Sequence, residues 1–458
     1  MESESAPAAP AVPKASRVPG IVPQAARARR AQARVLVLSH MHPKASRGGA
    51  EIAAYQLYGA LRGEPGVTAW FLAASGGRFP ERLGARLQQP FGPDEFVYTG
   101  GGFDHWIHAN PDPEFPAELG ALLKELRPDV VHLHHYTNFG VEALLGIRRA
   151  LPDARIVLTL HEYLAICNHF GQMVKRPGFG LCERSGPRDC ARCFPERSEQ
   201  DFFLRELYIK RFFRLVDHFI SPSRFLAERY VAWGLDPATV SVIENGMPEA
   251  GHDALPPPPA PGDEVVFAFF GQISRLKGID VLFDAAALLE KDGVAGLRIE
   301  VHGDYSGQPP EFRAAFEKRL EDTPANLRHC GPYENARVHE LMRSAHAVLV
   351  PSVWWENSPL VIQEALLNRR PVVCSDIGGM AEKVRDGLDG FHFRTGSAHA
   401  LAALLKRLAA QPERLAALQA TMATPPSLRE TTRATRRLYS RLLESRRPAA
   451  APQEEAIA

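Results

Sequence analysis

Apolar positions along this chain come in short blocks separated by helical spacing. Arg34-Val-Leu-Val-Leu-Ser39 is an unbroken apolar run, the pattern of a strand buried on both faces of a parallel sheet. A loop from His40 to Glu51 follows, and helical periodicity runs on through Leu61. Further strands are predicted at 67–73, 128–134, 154–162 and 218–221, and the segment 240–246 closes this first series. A second series opens with Val265-Val-Phe-Ala-Phe-Phe270 and continues with strands at 298–301, 327–330, 347–350 and 371–374. Helices near 278–290, 334–344, 358–368 and 398–409 alternate with them, and a basic helix is predicted over 429–445. The pattern predicts an α/β protein of two Rossmann-like halves, with ligands beyond the carboxyl ends of the strands.

Composition narrows the class. Lysine plus arginine (54) nearly balance aspartate plus glutamate (53) in 458 residues, so no global charge favours nucleic acid. The chain has no apolar run of 18 residues, and its first residues lack the charged-then-apolar order of a secretory signal. Six cysteines in a chain this long do not make a disulfide scaffold, and the expected compartment is the cytoplasm. Residues 1–33 form an Ala/Pro-rich tail, made basic by Arg27, Arg29 and Arg30, and are expected to be disordered, as are residues 447–458. The segment 249–263, with Pro256–Pro259, reads as a stiff linker between a first domain (34–248) and a second (264–425), with a terminal helix over 426–446.

The richest chemistry lies in Pro351-Ser-Val-Trp-Trp-Glu-Asn-Ser-Pro-Leu-Val-Ile-Gln-Glu-Ala-Leu366. A strand empties into a turn, and Ser358 as N-cap with Pro359 at the first helical position predicts a helix start there. Free peptide N–H groups at such a start suit a phosphate. Glu356 before the helix and Glu364 within it would accept hydrogen bonds from hydroxyls. Phosphate seat plus hydroxyl acceptors describes a nucleotide-sugar site. After the first strand of the second half comes Gly271-Gln-Ile-Ser-Arg-Leu-Lys-Gly278, in which glycines allow close approach and Lys277 offers a cation to a diphosphate.

Glu356 and Glu364, with Asn357-Ser358-Pro359-Leu360 between them, resemble the donor motif of retaining GT-B glycosyltransferases of the sucrose-synthase-like group, glycosyltransferase family 4. Gly48-Gly49-Ala50-Glu51, Asn245-Gly246, Gly378–Glu382 and Asp386–Gly390 match further motifs of that group in order. The group's Gly-Arg-Leu-x3-Lys-Gly motif places its lysine on Lys277, but Gln272 stands where the arginine belongs and Arg275 lies nearby. The resemblance implies transfer of a hexose from a nucleoside diphosphate sugar, with retention and no metal cofactor, to a glycan, lipid-linked or small-molecule acceptor. In that scheme Glu364 takes the ribose and Glu356 the sugar hydroxyls. Lys277, Arg275 and the peptide N–H groups around Asn357, Ser358 and Leu360 hold the diphosphate. His161 meets the sugar from the first half, and Gly49 approaches the phosphates. A sugar-nucleotide epimerase, a phosphorylase or a non-catalytic nucleotide-sugar sensor remain as alternatives.

Two segments lie outside that scheme. An insertion over 163–199 carries Cys167, Cys182, Cys190 and Cys193, which could hold a structural zinc, stay as packed thiols or form a disulfide. Residues 202–215 form a broadly apolar helix with four cations and one acid, suited either to burial against the first sheet or to weak contact with a membrane surface. His132, His134 and His135, leaving a strand together, read as cleft lining rather than as metal ligands.

Overall fold

The computed structural model describes residues 33–46, 48–78, 85–248 and 263–445. The basic tail, most of the proline-rich linker and the carboxyl-terminal tail lie outside the described residues.

Strands β1 (Ala33–Ser39), β2 (Val67–Ala74), β3 (Leu87–Gly92), β4 (Glu95–Tyr98), β5 (Val130–Leu133), β6 (Arg155–Thr159), β7 (His218–Ser221) and β8 (Val240–Val242) build one sheet. Its order is β3-β4-β2-β1-β5-β6-β7-β8, parallel throughout except for the β3–β4 pair. Strands β9 (Val265–Phe270), β10 (Leu297–His302), β11 (Leu327–Gly331), β12 (Ala347–Val350), β13 (Val372–Ser375) and β14 (Gly390–Phe393) build a second, all-parallel sheet. Its order is β11-β10-β9-β12-β13-β14. Helices cover both sheets, so the central strands are buried on both faces. Val35–Leu38 and Val265–Phe270 are almost fully inaccessible, and each large apolar side chain so buried stabilises by about 1.5–3 kcal/mol.

In each sheet the chain order reverses beside the first strand, between β1 and β5 and between β9 and β12. Such switch points open a crevice at the strands' carboxyl ends. The loops leaving these four strands, 40–48, 134–142, 271–278 and 351–359, therefore gather at one place.

The sequence pattern did not announce β3, β4 or β14. Leu87-Gln-Gln-Pro-Phe-Gly92 has little strand character, and its Pro90 is tolerated because β3 is an edge. β4 and β14 are only four residues each, too short to show a period.

The last helix, Leu428–Glu444, lies against the first half. Leu438 and Tyr439 join the core beneath β1 and helix Gly49–Arg62, and the Tyr439 hydroxyl is 2.6 Å from His132 Nδ1. Arg436 pairs with Glu64. Helix Glu199–Phe213 begins with a capping box of Ser198 and Asp201 and buries Phe202, Ile209, Phe212 and Phe213. Of its three cations, Arg205 is also buried, reaching the carbonyls of Trp106, Leu164 and Ala165 and the Nε2 of His108. Its opposite face exposes Phe203, Leu204 and Leu207.

Candidate active site

The two halves meet around a cavity of about 410 Å³. His40, Gly49, Glu51, His135, His161 and Glu162 line it from the first half. Lys277 and the run Trp354–Leu360 line it from the second. A wider surface groove of about 610 Å³ lies along helices Ile279–Lys291 and Ala398–Ala410 and contains none of the candidate residues.

The second-half wall is built around one carboxylate. Oε1 of buried Glu356 receives hydrogen bonds from Lys277 Nζ at 2.6 Å, Ser352 Oγ at 2.9 Å and Trp354 Nε1 at 2.9 Å. These three donors fix the side chain before any ligand arrives. The fixation depends on two loops coming very close. Gly278 has φ +75°, and a Cβ there would lie 1.9 Å from the Pro351 carbonyl oxygen. On the other side, Gly379 donates its N–H to the Glu356 carbonyl at 2.7 Å, where a Cβ would strike Asn357.

One expectation is corrected. The helix begins at Leu360 and runs to Leu367, with Pro359 at the N-cap and no side-chain cap. Pro359 has ψ 119°, outside the helical range, and the proline bars Ser358 from helical geometry as well. Ser358 is therefore not a cap. Its hydroxyl is buried without a hydrogen-bond partner at the cavity wall. The helix start itself still faces the cavity through Asn357–Leu360.

Glu364 stands one turn into that helix and is not among the residues that line the cavity. Burial alone pushes its carboxyl up to about 7. It acts on the Tyr333 phenol, which burial and this carboxylate raise to about 12. Arg275 is turned away from the cavity lining, with its guanidinium 4.0 Å from the Phe179 ring of the insertion. Gln272 and Gly48 do not line the cavity either.

The first-half wall is made of histidines. His161 Nε2 lies 3.0 Å from His134 Nδ1, with the two rings stacked, and the His132 ring is tilted against His134 at 4.5 Å. His132 is held between Tyr439 and the Thr159 hydroxyl at 2.7 Å. His135 Nε2 is 3.0 Å from Glu162, and His40 Nε2 is 3.4 Å from Glu51. Enclosure, reinforced by neighbouring rings, holds His40, His134 and His161 well below the usual 6.5 and lowers His132 to about 3. These rings are neutral at pH 7. His161 and His135 reach the cavity, whereas His132 and His134 act behind them.

Asn357 joins the halves. Its side-chain NH₂ donates to the His161 carbonyl, and its oxygen accepts from Ser223 Oγ at 3.1 Å. Glu382 accepts the first N–H groups of helix Arg224–Trp233 at 2.7 and 2.8 Å. The insertion also reaches across, since Trp355 Nε1 donates to the Cys182 carbonyl at 3.0 Å.

The four insertion cysteines are free thiols. Burial raises Cys167 to about 11 and pushes Cys182 and Cys190 upward, with neighbouring thiols adding to each. They are neighbours, but no three of them bring their sulfurs within 4.8 Å of one another.

Glu51, Ser352 and Glu162 are site residues that the sequence reading did not single out as functional. Glu162 directly follows His161 and Ser352 stands four residues before Glu356, so adjacency to a flagged residue was the available signal.

Two parallel α/β halves facing a cleft at their switch points define the GT-B architecture. The solved structure of sucrose-phosphate synthase from Thermosynechococcus elongatus shares it, with TM-score 0.65 at 17% identity over 89% of this chain and 99% of that one. The Anabaena protein Alr3699/HepE, solved with UDP and glucose, does so with TM-score 0.62 at 16% identity over 89% and 100%. The profile for Glycosyltransferase Family 4 matches residues 47–250, and that for Glycosyl transferases group 1 matches residues 254–422. The chain belongs to this glycosyltransferase family. Among curated relatives, the D-inositol 3-phosphate glycosyltransferase of Rhodococcus opacus is 28% identical over 66% of this chain and 65% of its own length. That of Nocardia farcinica is 31% identical over 60% and 58%. The chain thus spans less than two thirds of the length of these relatives. Among the described residues, no helix is long and apolar enough to cross a membrane.

Proposed function

We propose that this chain moves a hexose from a nucleoside diphosphate sugar to an acceptor hydroxyl with retention at the anomeric carbon. The observation that carries the reading is Glu356, fixed by Lys277, Ser352 and Trp354 at a helix start and facing His161 across the cavity. A nucleoside diphosphate sugar complements this arrangement. Its sugar hydroxyls would donate to Glu356, its ribose to Glu364, and its diphosphate would take Lys277 and the N–H groups near Leu360. The bond from the anomeric carbon to phosphate breaks as negative charge grows on the leaving oxygen. A fixed ammonium and helix-end dipoles stabilise that charge more in the transition state than in the ground state. The same oxygen can accept the acceptor's proton on the face where the new bond forms, which retains configuration. With this cation and the helix start in place the proposed chemistry needs no metal. The neutral His161 ring can accept or donate a hydrogen bond to the sugar without adding charge.

The solved neighbour with UDP and glucose makes a uridine nucleotide the first donor to try. The relatives' name makes a phosphorylated polyol the first acceptor. Phe203, Leu204 and Leu207, exposed on helix Glu199–Phe213, keep weak contact with an anionic membrane within the reading, to be checked by vesicle sedimentation at low and high salt.

The deciding experiment assays transfer from a panel of nucleotide sugars, with the product's anomeric configuration read by NMR and a parallel assay in EDTA. A retained anomer and full activity in chelator are expected. An inverted product, or donor turnover without acceptor, overturns the reading, the latter in favour of an epimerase.

A further inference from the structure

At the carboxyl end of β10, Glu300 and His302 project to the same side of the sheet, two residues apart. The neighbouring β11 slips register there: Val301 pairs with His329, but His302 pairs with Gly331. The skipped residue is Cys330, and a bulge of this kind re-aims a side chain. Among the described residues, Glu300, His302 and Cys330 are the one trio of metal-ligating side chains whose ligand atoms all lie within 4.8 Å of one another.

The geometry suits an ion. His302 Nε2 lies 3.3 Å from Glu300 Oε2. Two ligands bound about 2.0–2.1 Å from a tetrahedral centre stand roughly 3.3 Å apart. The ligands are also held in orientation. Arg298 Nε donates to the other Glu300 oxygen at 3.1 Å, and the His302 ring stacks on Phe270 at 4.8 Å and 9°. Such outer contacts position metal ligands in known sites. An imidazole–carboxylate hydrogen bond would account for two of the three side chains. It leaves the thiol unexplained, because Cys330 Sγ makes only a long contact, 3.8 Å from the Arg328 carbonyl.

We propose that Glu300, His302 and Cys330 form a three-ligand site for a zinc-class divalent ion, with the fourth position open to water. The mixed oxygen, nitrogen and sulfur set selects a borderline-soft ion over magnesium or calcium. The site is separate from the transfer chemistry. It borders Tyr333, whose ring lies 6.4 Å from His302.

The test uses full-length, reduced protein carrying Cys190→Ser and Cys193→Ser, so that the insertion thiols do not compete. Stripped of metal and titrated with Co²⁺ and Zn²⁺, it should bind one equivalent, and cobalt should develop a thiolate charge-transfer band. Cys330→Ser should abolish the band. His302→Gln should weaken zinc by about 100-fold or more, beyond the 10- to 100-fold that loss of an orienting partner costs. Bound zinc should also slow alkylation of Cys330, a readout that needs no ligand variant to fold. No binding, a band indifferent to Cys330→Ser, or alkylation indifferent to zinc would each overturn the site. None of these readouts depends on transferase activity.

Discussion

The two walls of the cleft solve the problem of a polar interior in opposite ways. The first-half wall enlists His40, His132, His134 and His161, all kept neutral by enclosure and by one another. The second-half wall keeps a formal ion pair, Lys277 with Glu356, and one turn into the helix that follows, outside the lining, burial raises the Glu364 carboxyl to about 7. A diphosphate needs cations, and the second wall has one within hydrogen-bond reach of the cavity. In the proposed function an uncharged hexose would take hydrogen bonds, which neutral rings can both donate and accept. The difference lies in the sign of the charge: the first wall sets neutral rings beside the carboxylates of Glu51 and Glu162, whereas the lining's cation, Lys277, comes from the second.

The largest effect that could break this comparison is acid instability. A buried histidine whose folded-state pKa is depressed binds its proton more readily in the unfolded chain. Its contribution is present above the unfolded value of 6.5 and is lost as pH falls below it. One unit below 6.5, each such ring costs about 1.4 kcal/mol, several kcal/mol for the wall together. Thermal unfolding followed from pH 7.5 to 5.5 should show a steep loss of stability. A flat profile over that window would mean that the rings are not held neutral.

Next comes the charged wall. Lys277→Ala should lower turnover by about 100-fold or more, since one lost electrostatic contact to the leaving group costs roughly 3 kcal/mol. Glu356→Gln should damage turnover while leaving free nucleoside diphosphate binding nearly intact, because its proposed partner is the sugar. Wild-type transfer by Glu356→Gln would remove the helix-start site from the chemistry.

Much of this arrangement was legible in the residues. The buried runs of β1, β9 and β12 announced parallel strands because nothing polar interrupts them. Glu356, Lys277 and His161 were visible because each stands at a strand's end, next to glycine, proline or a second polar residue. The helix start was misplaced because Ser-Pro reads locally as cap and first turn, whereas Pro359 stays extended and is itself the N-cap. The departure of Arg275 was hidden because it depends on Phe179, 96 positions earlier, and a contact at that separation leaves no local pattern. The histidine wall was half visible: the strand showed three histidines, but Tyr439 behind His132 arrives from the far end of the chain.

Glu364 gives the next effect. If the ribose hydroxyls donate to its carboxylate, the protein must first lose the proton that burial holds to about 7. Nucleotide affinity should rise with pH and level off above 7, changing about tenfold between pH 6 and pH 8. The free protein responds in the opposite sense: the raised carboxyl favours the fold at low pH, and that contribution fades as pH climbs from 4.5 to about 7. Glu364→Gln should flatten the affinity profile, as calorimetric titration at four pH values would show. An unchanged slope in the variant would assign the pH dependence to the histidine wall.

The smallest effect tests whether the first half reaches into the donor wall. Phe179 sits half exposed in a left-handed conformation, φ 54°, between the bridged residues Val174 and Leu181. Its ring holds Arg275, which stands three positions after Gln272, where the family's motif has its arginine. To serve a diphosphate, that guanidinium must first leave the ring. An exposed cation–π contact is worth about 0.5–1 kcal/mol. Phe179→Ala should therefore free Arg275 and tighten nucleoside diphosphate binding about two- to fivefold, and the gain should vanish in the Phe179→Ala/Arg275→Ala double variant. Weaker binding in Phe179→Ala would mean instead that the ring presents Arg275 to the ligand. Unchanged binding in both variants would leave Lys277 and the helix start to hold the diphosphate alone.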